Sequence, residues 1–171
     1  LRMQGAFECI NYSFYSQKDL DMLNIPEDDT LRNAIRIENP ISENYSIMAT
    51  TLAPTMLNTI IKNYRNGNNF GRFFEVANVF LAETLPLEKL PHERRTIAIG
   101  AYGDDEDFFK FKGIIEGLAD DFALEFRYEK ANTEIKVLPD GYRLRDVLYP
   151  QVDDLINGFK HMVYSNYHLP K

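Results

Sequence analysis

Cysteine, tryptophan, basic charge and long apolar runs are all scarce here, and each shortage excludes something. Cys9 is the only cysteine among 171 residues. No disulfide can close within the chain, which fits a reducing, cytoplasmic compartment. One Cys and three scattered His (His92, His161, His168) lack the paired ligand spacing of a structural zinc site. No apolar run approaches the roughly 18 residues of a membrane span, and no signal peptide is visible. Net charge is −7 and the pI is near 5.0, so the basic face of an independent nucleic-acid binder is missing. The opening Leu1-Arg-Met-Gln-Gly5 has no initiator Met. An excised piece, a processed chain or missing residues would all look this way.

What remains is an ordinary globular composition. Hydrophobic residues are 44% and charged residues 26%, and the length suffices for one domain with a sizeable core. Twelve Phe and ten Tyr predict an aromatic-rich interior.

Along the chain, Leu1–Gln4 reads as a helix end stopped by Gly5. Phe7–Phe14 reads as one strand. Ser16 is expected to cap a short helix over Gln17–Leu23, its hydroxyl accepting a first-turn N–H. Ala34–Glu38 alternates cleanly and is expected to be a strand, ended by Asn39-Pro40. Tyr45–Thr50 is a second extended piece. Pro54 then opens a helix with an apolar stripe of Leu57, Ile60, Ile61 and Tyr64, stopped by Asn66-Gly67. Phe70–Leu81 is near-continuously apolar, as in a strand buried on both faces. Ala82–Glu93 is a Pro-rich surface connection, and Thr96–Tyr102 is another buried strand. Phe108–Phe122 is expected to be an amphipathic helix with Phe108, Phe111, Ile115, Leu118 and Phe122 on one side. Leu124–Tyr128 and Ile135–Leu138 read as strands, Pro139-Asp140-Gly141 as a turn, and Gln151–Val163 as a helix before a loose tail. Strands and helices in mixed order, without βαβ repetition, predict an α+β domain with a mainly antiparallel sheet.

Local chemistry is sparse. Asp104–Asp107 lacks the alternating ligands and turn Gly of a calcium loop, and reads as a solvated turn capping the next helix. Gly100–Gly103 and Gly113…Gly117 lack the phosphate-cradle patterns. The latter pair reads as permitting close helix packing. No nucleophile sits in a Gly-flanked strained turn, and no Cys/His pair is local. His92, beside Glu93, reads as a surface histidine. Arg94-Arg95, Lys62 and Arg65 read as solvated charge at element ends.

Five segments in order carry a resemblance: GAFECINYSF, AIRIENPISENYSIMATTLAPTMLNTI, RFFEVANVFL, HERRTIAIGAYG and DFFKFKGIIEGL. Together they resemble the beta subunit of bacterial phenylalanyl-tRNA synthetase over about residues 1–120. The resemblance implies a catalytic-like domain of the class II aminoacyl-tRNA synthetase fold, an antiparallel sheet flanked by helices. On this reading 1–131 is the catalytic-like module. Residues 132–171 continue the same domain but depart from the family, reading ANTEIKVLPDGYRLRDV where a His-Pro-Gly-Arg-like segment is expected.

A class II active site uses an Arg in a Phe-Arg-x-Glu pattern to hold the ATP α-phosphate and the substrate carboxylate. A guanidinium suits that task because its donors are paired and its charge is permanent. Here the matching run is Phe80-Leu81-Ala82-Glu83. Leu81 can neither neutralise phosphate nor donate a hydrogen bond. The third class II motif, a Gly-rich segment ending in Arg, is missing too. No catalytic, cofactor-binding or metal-ligating residue is therefore expected. The opening segment resembles the first class II motif, which builds interfaces, so Met3, Phe7 and Tyr12 are interface candidates. The Pro that commonly closes that motif is absent.

The resemblance implies a non-catalytic structural module. Its partner would be the alpha subunit in an (αβ)2 assembly, a heterotetramer of protein biosynthesis. There alpha would charge tRNA(Phe) using ATP and Mg2+, and tRNA would bind other parts of the complex. Two other readings make different predictions. An active class II ligase paralogue would bind ATP. An RNA-binding module would show steeply salt-dependent tRNA affinity.

Overall fold

A computed structural model of the chain describes residues 1–23 and 25–124, together with two short backbone stretches at 143–144 and 167–168. In order, the strands are β1 (Phe7–Glu8), β2 (Phe14–Tyr15), β3 (Ile47–Met48), β4 (Gly71–Leu81), β5 (His92–Tyr102), β6 (Arg143–Leu144) and β7 (Tyr167–His168). The α-helices are α1 (Gln17–Met22), α2 (Ala53–Arg65) and α3 (Phe108–Asp121).

The long antiparallel pair of β4 and β5 is the spine. Their register runs from Gly71 opposite Tyr102 to Leu81 opposite His92. β1 adds to the free edge of β4 in parallel. That edge is shared. Its first half takes the Cys9 N–H on the Phe74 carbonyl at 2.8 Å, and further on Phe80 N–H donates to Ala49 O at 2.8 Å. β2 and β3 form a separate antiparallel pair, and β6 pairs with β7.

Strand alternation assigns the two faces. Phe74, Val76, Ile97 and Ile99 turn towards α3 and pack with Phe111, Ile114, Ile115 and Leu118. Phe73, Ala77, Val79, Leu81, Ala98 and Tyr102 turn the other way and pack with Leu52, Met56 and Ile60 at α2. A third cluster, Tyr15, Leu20, Ala34, Ile47 and Ala49, ties β2, α1 and β3 together. Each fully buried aliphatic side chain contributes about 1.5–3 kcal/mol of burial energy. These three clusters therefore hold the layers together. Gly100 lets α2 come close: a Cβ there would lie 2.7 Å from Ile60 Cδ1 and 3.0 Å from Met56 Cγ.

Several expectations need correction. Phe7–Phe14 is not one strand. It pairs at Phe7–Glu8 with β4 and at Phe14–Tyr15 with β3, because the chain leaves one sheet to enter another. Ala34–Glu38 reaches only an isolated bridge, Arg36 to Ile47, flanked by bonds from Ile37 N–H to Ser46 and from Met48 N–H to Ile35. Tyr45 ends a 3-10 turn over Glu43–Tyr45, so β3 begins at Ile47. Ser16 does stand at the N-cap of α1, in a capping box with Asp19, whose Oδ2 accepts from the Ser16 N–H at 2.8 Å and its hydroxyl at 2.6 Å.

The buried face of α2 follows Met56 and Ile60, while Leu57 and Ile61 stay half-buried. The strand expected at Thr96 begins at His92, since the antiparallel register carries the ladder to Leu81. Ile114 joins the buried side of α3, while Phe108 and Phe122 at its ends are exposed. Gly117 does pack closely, against the Gln4 side chain, but a Cβ at Gly113 would meet nothing within 4 Å.

Other expectations agree. Gly5 and Gly67 stop their helices with φ of 81° and 86°. Asp107 caps α3, accepting from Lys110 N–H at 2.8 Å. The strands expected at Leu124–Tyr128 and Ile135–Leu138, the turn at Pro139–Gly141, the helix at Gln151–Val163 and the tail lie outside the described residues, the two β6–β7 stretches apart.

Candidate functional site

The sheet face towards α2 carries the Phe80–Glu83 run and its Leu81. Leu81 ends β4 on this face, opposite His92, and packs against the Leu52, Met56 and Val79 cluster. Its neighbour in the motif, Glu83, is exposed and pairs with Lys89 at 2.6 Å. His92 is exposed at the start of β5. Arg94 shares the face, opposite Val79, with its Nε buried and without an acceptor. Leu81 thus packs against the apolar cluster with His92 opposite and Arg94 further along the same face, and its own side chain offers an anion no donor.

Further along the same face stands a group the sequence pattern does not flag. Glu75, on β4 between Phe73 and Ala77, is 2% exposed. Its Oε1 accepts the Asn11 backbone N–H at 2.9 Å, and its Oε2 accepts Asn11 Nδ2 at 2.9 Å. Thr55 Oγ1 on α2 lies 3.3 Å from Oε2, sharing its proton with Leu52 O at 2.9 Å. Thr59 Oγ1 lies 3.1 Å from Asn11 Oδ1. Hydrogen bonds to an ionised carboxylate are about twice as strong as neutral ones, and a buried carboxylate needs such partners. One signal was available: strand parity puts this acid among apolar residues on an inward face.

Cys9 belongs to the same network. Its Sγ donates to Phe74 O at 3.4 Å and receives Asn11 Nδ2 at 3.8 Å. Burial, and then the Glu75 charge, push its thiol from 9.0 up to about 11. At neutral pH it is therefore a protonated thiol, and an unreactive one, since the thiolate is the reactive form.

A second buried polar cluster fixes the approach to α2. The Tyr15 hydroxyl accepts from Thr50 N–H at 2.8 Å and Thr51 N–H at 3.2 Å, and lies 3.1 Å from Thr50 Oγ1. Thr50 Oγ1 gives its proton to Leu31 O at 2.6 Å, so the Tyr15 proton goes to Thr50 Oγ1. Burial pushes this phenol above its ordinary pKa.

The three interface candidates are all bare. Met3 is 100% exposed, Phe7 71% and Tyr12 64%. Tyr12 meets Tyr45 edge-on at 5.5 Å. Sequence reasoning missed Ile10, which is 92% exposed between them. Phe7 and Phe70 line one open groove of about 1110 Å3 at the Gly71 end of the sheet. There Arg72 pairs with Glu106 at 2.8 Å. Among the described residues no group of three or more His, Cys, Asp or Glu could hold a metal. Among them, too, no helix is long and apolar enough to cross a membrane.

A sheet built on a long antiparallel hairpin, with helices on both faces, is the class II aminoacyl-tRNA synthetase fold. It resembles the crystal structure of pyrrolysyl-tRNA synthetase from Desulfitobacterium hafniense with a TM-score of 0.59 at 14% identity, covering 96% of this chain and 60% of that one. A second structure of that enzyme's PylSc gives 0.54 at 12% identity, covering 89% and 51%. The chain belongs to the family of the phenylalanyl tRNA synthetase beta chain CLM domain, whose model matches residues 1–141. It is 33% identical over 163 residues to the phenylalanine–tRNA ligase beta subunit of Clostridium tetani, covering 95% of this chain and 20% of that one. Against the beta subunit of Clostridium acetobutylicum it is 40% identical over 116 residues, covering 68% and 14%. The chain thus spans a fifth or less of these relatives' length.

Proposed function

We propose that this chain is a non-catalytic structural module of a phenylalanine–tRNA ligase beta subunit. Its task is to pack against the alpha subunit and support an (αβ)2 assembly in the cytoplasm. Alpha, with ATP and Mg2+, performs the aminoacylation of tRNA(Phe), and the tRNA is held by other parts of the complex. Met3, Phe7 and Tyr12 are the side chains offered to a partner.

One observation carries the reading: Leu81 packs against apolar neighbours where the class II pattern places an anion-binding Arg. Losing such a charged contact removes several kcal/mol of transition-state stabilisation. The family match supports it, since the matched relatives are named beta subunits. The test is phenylalanine-dependent ATP–pyrophosphate exchange by the whole beta chain, alone and with co-expressed alpha. Exchange is expected only with alpha, and alpha is expected to co-purify. Exchange by beta alone at an intact enzyme's rate overturns the non-catalytic reading. Failure of alpha to co-purify overturns the partner reading.

A further inference from the structure

Three arginines are half-buried among the described residues, and two of them are answered by a carboxylate. Arg32 pairs with Asp21 at 2.6 Å and Arg72 with Glu106 at 2.8 Å. The third, Arg94 on β5, has no acid beside it, and its Nε is sealed from solvent without an acceptor. Strand alternation turns it to the α2 face, opposite Val79 and one pair along from Leu81 and His92. Each nearby carboxylate is spoken for or turned away. Glu83 pairs with Lys89 at 2.6 Å. Glu93 points to the other face, where it accepts Asn78 Nδ2 at 3.2 Å. Glu75 lies about 13 Å along β4 and accepts two bonds from Asn11.

A charge withdrawn from water and left without a counter-charge is costly, and a buried donor without an acceptor calls for a reason. We propose that Arg94 anchors a binding site for a small organic carboxylate. A guanidinium presents paired N–H groups at the spacing of a carboxylate's two oxygens, so the Nε–H and a terminal N–H can be taken together. The charge count favours this class over phosphate. Arg94 is the only Arg or Lys that β4 and β5 turn to this face, and one cation balances a monoanion. The half-buried Leu81 beside it suits an apolar body behind the carboxylate. The cation stands on β5 and not at position 81, so the site differs from that of the class II pattern. One guanidinium holds one anion, which leaves the chain non-catalytic.

The test titrates the whole beta chain, without alpha, with acetate, benzoate and inorganic phosphate at constant ionic strength, by calorimetry and by thermal shift. Benzoate is expected to bind saturably, more tightly than acetate or phosphate, and to raise Tm as a ligand of the folded state does. Arg94→Met is expected to weaken benzoate binding about tenfold or more, the loss that follows removal of a charge-assisted contact. Arg94→Lys keeps the charge and loses the fork, and is expected to fall between the two. Without benzoate, Arg94→Met is expected to hold or raise Tm, because it removes a charge that nothing in the fold balances. Absence of saturable benzoate binding overturns the proposal, as does wild-type benzoate affinity in Arg94→Met. Phosphate binding more tightly than benzoate overturns the carboxylate assignment. A steep fall of Tm in both variants without benzoate means that Arg94 serves the fold alone, and overturns it too. Alpha takes no part in these titrations, so failure of alpha to co-purify bears on the module reading and not on this site.

Discussion

Replacing Tyr15 by Phe removes one oxygen and leaves the ring, so no cavity opens and the loss is purely polar. Three partners lose their bond: the Thr50 N–H at 2.8 Å, the Thr51 N–H at 3.2 Å and Thr50 Oγ1 at 3.1 Å. Tyr15, Thr50 and Thr51 are 3%, 1% and 5% exposed, so water does not replace the hydroxyl. A buried donor left without a partner costs about 1–3 kcal/mol. The short bond is expected to account for most of this, the long one for less, and Thr50 Oγ1 loses only an acceptor role. The sum is about 3 kcal/mol, or roughly 6–12 °C in Tm for a chain of this length.

Urea and thermal unfolding of the wild-type chain and Tyr15→Phe measure it. The phenol also supplies a check by pH. Its folded pKa lies above the unfolded value of 10.0. The stability it contributes is therefore fully present below pH 10 and declines as pH rises towards the folded value. The gap between wild type and Tyr15→Phe must narrow above about pH 10. A loss under about 1 kcal/mol at pH 7 would show that the two N–H groups find other partners, and would refute their dependence on the Tyr15 oxygen.

Three further outcomes are expected. Gly100→Ala drives a methyl against Ile60 and Met56 and should cost about 1–3 kcal/mol. Trimming Ile60 to Val, which removes the atom at 2.7 Å, should recover part of it in a double-mutant cycle. Cys9, with its thiol raised to about 11, should resist iodoacetamide at pH 8 in the folded chain and react once urea unfolds it. The same shift, from the ordinary thiol value of 9.0, makes its contribution to stability fall as pH rises from 9 through 11, so Tm should drop over that range. Asp107→Ala removes the cap on Lys110 N–H and should cost about 1 kcal/mol in unfolding measurements.

Local signals were legible wherever a single residue type settles a backbone geometry. Gly5, Gly67, Pro54 and Asp107 all stand at helix ends as their chemistry demands. The β4 strand and the Thr96–Tyr102 part of β5 were legible because both are apolar, while the polar His92–Arg95 start of β5 was not. The split of Phe7–Phe14 was not, because alternation tells a strand from a helix and says nothing about which sheet accepts it. The site was half legible. Leu81 could be read from its motif, and it packs against the apolar cluster that includes Leu52 and Met56. Glu75 and Tyr15 could not, since each acts on residues more than thirty positions away, Asn11 and Thr50. Position in a sequence does not disclose a partner at that distance.

The shared edge of β4 also sets a timetable for synthesis. Cys9 and Asn11 find their partners at Phe74 and Glu75, 65 and 64 residues later. At about 5–20 residues per second on a ribosome, those partners emerge roughly 3–13 s after the segment that needs them. For that interval Ala6 and Cys9 lack the β4 neighbours that later cover them, and the backbone of the segment is unpaired. Chaperone demand during translation should therefore be greatest before Leu81 is made, and should fall once the β4–β5 hairpin closes.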